Sequence, residues 1–203
     1  MNFHLRYRGP LPAGSRYGTD SKHAVRLVFH RQLMNLCRRD PRFQSALDVD
    51  LPVGALRGRK VDVETHRPLS KLFFAVPLKG FHFVPLVTRA HELTCELEIT
   101  MLRWEKAGSL VSGGDLDNRI KNLFDALRMP HDENELGTAA PEAEARCYCL
   151  LEDDSLVTRL CIATSENLEP MLDSEKKSDV DLSIKVTVQA SYPMIGNLGF
   201  PVA

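Results

Sequence analysis

The segment GGDLDNRIKNLFDALRMP, residues 113–130, places Asp115 and Asp117 two apart after paired glycines, with Asn118 and Lys121 following. Two chemistries suit that spacing. One Asp caps the helix whose first apolar residue is Ile120, because a carboxylate accepts hydrogen bonds from the open amides of a first turn. Two carboxylates at the end of a loop can instead turn toward one cation, and the positive end of a helix favours their ionised form. Mg2+ takes oxygen ligands in octahedral geometry, so a third carboxylate should come from elsewhere. The stretch LLEDDSLV, residues 150–157, supplies Glu152, Asp153 and Asp154 between apolar segments, where a solvated turn between strands would look the same. Lys121 follows Asp117 by four residues and shares its helical face. It either pairs with Asp117 or stands beside a phosphate, stabilising charge that develops in a transition state.

Two other motifs fail. An EF-hand loop starting at Asp115 would need Asp or Asn where Arg119 stands and Gly where Ile120 stands. GGDL begins like the signature of cyclic-dinucleotide synthases, but the residues after it start a helix and not a hairpin. Cys147 and Cys149 lack a matching Cys or His pair at zinc spacing, so they read as buried strand positions.

The elements that must carry these groups are legible from period and punctuation. Residues 2–8 suggest a short strand, and GPLPAGSRYGTDS a loop. DSKHAVRLVFHRQLMNLCRR reads as a helix capped by Asp20 or Ser21, with Val25, Phe29, Leu33 and Leu36 as its apolar stripe. Lys22, Arg26 and His30 recur every four residues and are expected on an exposed face, either as phosphate contacts or simply solvated. Residues 40–70, including the basic RGRK at 57–60, form an irregular excursion. KLFFAVPLKGFHFVPLVT suggests two strands turning at Lys79–Gly80, its phenylalanines in the core. ELTCELEITML and DLSIKVTVQAS alternate as half-buried strands, and RCYCLLEDDSLVTRLCIA as strand, acidic turn, strand. Ile120, Leu123, Phe124 and Leu127 give a helix lying on a sheet. The mixture lacks a regular βαβ rhythm, so the expected fold class is α+β, a mixed sheet packed with helices.

Composition narrows the rest. The 203 residues, 43% hydrophobic, suit one domain, and no apolar run approaches transmembrane length. The start MNFHLRYRGP has no long apolar centre, and five irregularly spaced cysteines make no disulfide framework, so a cytoplasmic protein is expected. Residues 1–91 hold 16 Lys and Arg against 6 Asp and Glu, a balance of +10, while residues 92–203 hold 10 against 21, a balance of −11. Either a basic surface attracts polyanions, or the two signs mix once the chain folds.

DLDNRIKNLFDAL followed by LEDDSLV resembles the RusA family of Holliday-junction resolvases. The likeness is strong over residues 115–127 and 151–157 and looser over the upstream strand, the GPLPAGSR loop and the next helix. It implies one RusA-like nuclease domain over residues 1–203, with insertions near 40–70 and 128–147 and without the arginine run before the first aspartate. It implies a homodimeric, Mg2+-dependent endonuclease (Mn2+ a possible substitute) that cuts four-way DNA junctions in recombination and repair. By position, Asp115, Asp117 and Asp154 would hold the metal, Lys121 would be required for activity, and Asn118 and Asp153, or Glu152, would support the site. Arg6, Arg8, Lys22, Arg26, Arg57, Arg59 and Lys60 would track the DNA backbone. A branched-DNA-binding protein that does not cut, a nuclease for another branched substrate, and a structural protein whose acidic motif is only a cap are the alternatives.

Overall fold

The computed structural model describes residues 1–11, 18–44, 46–47, 73–104, 115–139, 145–170 and 179–202, without the side chains of Asp115 and Ile195. Strand β1 (Asn2–Pro10) leads to helix α1 (Thr19–Arg39) and a single helical turn, α2 (Pro41–Gln44). Then come β2 (Val76–Leu78), β3 (Phe81–Val87), β4 (Leu93–Arg103) and helix α3 (Asp115–Leu127). The chain continues through β5 (Ala145–Leu151), β6 (Val157–Glu166) and β7 (Asp179–Ala190). The class is α+β, as expected.

Two sheets form. One has the order β1-β7-β4-β6, with β4 antiparallel to β7 and parallel to β6; the other has the order β2-β3-β5, with β3 parallel to β5. Alternation decides the faces of the larger sheet. Leu97, Ile99 and Met101 of β4 and Leu182, Ile184 and Val186 of β7 are buried, while the intervening Glu96, Glu98, Ser183 and Lys185 face outward. β3 is buried along its whole length, as a strand covered on both faces should be. Lys79 (φ 50) and Gly80 (φ 80) are both left-handed, the backbone that a two-residue hairpin between β2 and β3 demands. Phe73, Phe74, Phe81 and Phe83 are core residues.

Helix α1 lies against β5, α3 and β1, burying Val25, Phe29, Leu33 and Cys37. Two expectations for it are corrected. Its N-cap is Gly18, with no side-chain cap, and Asp20 instead accepts from the Thr138 amide (2.8 Å) and hydroxyl (2.9 Å). The face of Lys22, Arg26 and His30 is turned inward, because that stripe meets α3 and β5 and not solvent. Arg26, 1% exposed, donates to the carbonyls of Asp125 (2.6 Å) and Arg128 (3.4 Å), the open carbonyl end of α3. Lys22 reaches Asp125 at 2.6 Å, and His30 accepts the Tyr148 amide at 2.9 Å while stacking on that ring.

Arg26→Met leaves these carbonyls buried without donors and should lower the unfolding free energy by about 3 kcal/mol, read by urea titration. His23 and His30 must stay neutral to accept. Burial first, then the neighbouring Arg26, lowers His23 from 6.5 to about 4, and burial, then Arg31, lowers His30. A base depressed in the fold stabilises it above the unfolded value, and that stability is lost as pH falls from 6.5 toward 4. The His23 share is at most roughly 3 kcal/mol at 1.36 kcal/mol per unit, and solvent screening reduces it. Urea titrations across this window should show the loss, and His23→Gln should flatten it.

Candidate functional site

Helix α3 begins at Asp115, which puts Asp115 and Asp117 in its first turn. Positions two apart on a helix do not share a face, which changes the premise for a shared ion. Ile120, Leu116 and Phe124 pack on the main core, and Leu123, Ala126 and Leu127 are buried, which orients the helix. Asp117 and Lys121 are exposed one turn apart, and no ion pair joins them or ties either to another described residue. Asn118 is half-buried and engaged by neighbouring groups.

The acidic turn between β5 and β6 is tightly built. Asp153 caps a short 3-10 turn, Asp154–Leu156, by accepting from the Ser155 amide at 3.0 Å; the Ser155 hydroxyl donates to the same oxygen. Arg89, from the connection between β3 and β4, donates to Asp153 Oδ1 at 3.2 Å. The Ser155 hydroxyl, with help from Arg89 and His131, holds the Asp153 carboxyl below the usual carboxylate range. Glu152 accepts the Arg89 amide at 2.9 Å. Asp154 is exposed, and its carboxylate has no hydrogen-bond or ion-pair partner among the described residues. Of the three consecutive carboxylates, two are committed and one is available.

The turn adjoins the C-terminal end of α3. Arg128 bridges Leu151, the Met129 amide donates to Leu151 O at 2.9 Å, and His131 Nε2 is 4.0 Å from Asp153 Oδ2. Asp117 lies about 16 Å up the helix axis from Arg128, at 1.5 Å per residue. Among the described side chains, which do not include that of Asp115, no three or more His, Cys, Asp or Glu converge on a metal position. Among the described residues, the Asp117 and Asp154 carboxylates have no cation partner, and carboxylate oxygens are the donor type that Mg2+ takes.

The basic residues divide three ways. Arg6 and Arg8 stand on the outward face of β1, Arg6 3.8 Å from Asp181, Arg8 3.3 Å from Glu169 and over the Trp104 ring at 5.6 Å. Lys22 and Arg26 are spent on α3, as above. Arg57, Arg59 and Lys60 lie outside the described residues. Cys147 and Cys149 are buried in a second core beneath Phe81, Phe83 and Leu136. Arg89 escaped the sequence reading: nothing in TRAHE signals it, and only the pairing of distant strands brings it to the turn.

No protein-family model matches this chain, and no curated protein or solved structure matches it either.

Proposed function

We propose that this chain is a Mg2+-dependent endonuclease that resolves branched DNA, with a RusA-like fold. What carries the reading is the ordered pair of motifs, DLDNRIK at the start of α3 and EDD in the turn after β5. It is supported by the exposure of Asp117, Lys121 and Asp154, whereas Asp125 and Asp153 are held by cations. Asp115, Asp117 and Asp154 would hold the ion, with Asn118 in support. When bound, the ion acidifies water and offsets charge on the phosphoryl oxygens. Lys121, one turn below Asp117, faces the scissile phosphate and stabilises the same developing charge.

The acidic turn adjoins the C-terminal end of α3, whereas Asp117 stands in its first turn. An ion shared by Asp117 and Asp154 would then take Asp154 from a second copy. The two-fold dimer that symmetric cutting requires supplies it.

The test is cleavage of a synthetic four-way junction with Mg2+, against a linear duplex. Paired nicks near the crossover are expected, and Asp117→Asn should cut about a hundredfold slower or less while still binding. Binding without nicks on junctions, flaps and forks would sink the nuclease reading in favour of a protein that only binds branched DNA. Mixing Asp117→Asn with Asp154→Asn protein should restore nicking of one strand, because each mixed dimer regains one complete site. No recovery on mixing would place all three aspartates in one chain.

A further inference from the structure

We propose that the free edge of β6 is a self-association surface, pairing antiparallel with β6 of a second copy of this chain about a two-fold at Cys161. The pairing deepens the proposed function, and rests on that reading only for what the dimer completes.

Three observations carry it. First, β6 is the one long sheet edge left uncovered among the described residues. β1 is held by Gln32, which accepts the Arg6 amide (2.9 Å) and donates to the Arg6 carbonyl (2.7 Å). β5 lies against α1, where His30 accepts the Tyr148 amide, and β2 is three residues long and contains Pro77. β6 runs for ten residues, pairs with β4 alone, and has neither Pro nor Gly to blunt its other side. Second, the core face runs out before it reaches this edge. Leu97 of β4 is fully buried, while Leu160, beside it in register, is 43% exposed. Third, the strand is self-complementary in one register. Its regular part starts at Arg159, after a shift against β4 at Cys95/Glu96. Side chains directly opposite in one continuous sheet share a face, so a two-fold strand pair centres on a residue. Centred on Cys161, it sets Leu160 against the partner's Ile162 and Arg159 against the partner's Ala163. One step either way would instead set Leu160 or Ile162 against a threonine. Arg159 keeps Glu96 (3.3 Å) and Glu98 (3.6 Å) of its own chain, so no like charges oppose each other across the join.

Antiparallel pairing also lays the start of each β6, which follows the acidic turn, beside the end of the other. There Glu166 is in register with Arg103, the last residue of β4, from which the chain goes on to Asp115 and Asp117. Asp154 of one copy is thereby carried toward the part of its partner that leads into α3.

The experiment is sedimentation equilibrium of the reduced, full-length protein, with diamide cross-linking beside it. Wild type should dimerise below about 100 μM, as even a small interface does. Leu160→Lys should weaken the dimer by about tenfold or more, because it opposes an ammonium to Ile162. Diamide should link wild-type copies through Cys161, since the other four cysteines are buried. Opposed residues of an antiparallel pair stand about 4.5–5.5 Å apart between Cα atoms, within disulfide reach. Cys161→Ala should remove the link. Ala163→Cys in that background should not restore it, the two thiols being four residues, about 13 Å, out of step. Should Leu160→Lys fail to fold, the cross-links decide. Monomer throughout this range overturns the proposal and leaves the edge to a strand of another protein. A dimer indifferent to Leu160→Lys overturns it too, as does one that diamide does not link through Cys161 or links equally through Ala163→Cys. A Cys161-linked dimer that cuts no branched DNA sinks the nuclease reading alone.

Discussion

The guanidinium of Arg26 holds helices α1 and α3 in register. It is buried, it lies across α1, and it donates to the Asp125 and Arg128 carbonyls at the end of α3. Arginine suits this position because its planar fork serves two acceptors and its charge meets the negative end of a helix dipole. Lys22 and Arg128 then share the Asp125 carboxylate, at 2.6 and 2.9 Å, and Arg128 also reaches Glu135 at 2.9 Å. Desolvation opposes ionisation of Asp125, yet these two cations together keep its carboxyl below the usual range. Everything at the candidate site is referred to this junction. It fixes where α3 ends, hence where Arg128 bridges Leu151 and where the acidic turn begins.

A second constraint is topological. β3 is parallel to β5, and β4 is parallel to β6. The chain therefore passes from the small sheet to the large one twice, side by side, once through residues 88–92 and once through 152–156. Parallel pairing aligns the two connections at the same level, although they are more than sixty residues apart in sequence. Arg89 and the carboxylates meet because of that alignment, and hydrogen bonds between the connections make it specific. β-Strand order thus does for the turn what Arg26 does for the helix.

The same distinction explains what was legible in the sequence. Alternation in β4 and β7, the stripe of α3 and the Lys79–Gly80 hairpin depend on residues within one element, and the period reveals them. The facing of Lys22, Arg26 and His30 does not. A four-residue spacing says that three side chains share a face, and their charge suggests solvent, but only the arrival of α3 and β5 decides that this face is interior. The motif DLDNRIK was visible, whereas its distance from EDD was not, because that depends on how β5 docks against the end of α3. Helix entry was misjudged for a related reason. Asp20 has the right chemistry for a cap, yet a tertiary partner, Thr138, takes its carboxylate.

The charge asymmetry between the two parts of the sequence finds its meaning at this level. Arg6 and Arg8 face Asp181, Arg8 also faces Glu169, Lys22 holds Asp125, and Arg89 holds Asp153. In each pair a cation from the basic part meets a carboxylate from the acidic part. Among the described residues, then, the two signs mix in the fold, and the basic part is not simply a polyanion surface. The exposed pairs on β1 contribute little to stability, so a phosphate can displace the carboxylates at small cost. It does so against local repulsion from Asp181 and Glu169, which are anchored beside the cations. A nucleic acid approaching β1 therefore gains less from Arg6 and Arg8 than their charges alone would give. Lys121 is different in kind: it stands exposed one turn from Asp117, with no carboxylate bound to it among the described residues. Its full charge remains available to a phosphate at the start of α3, which is where the proposed chemistry needs it.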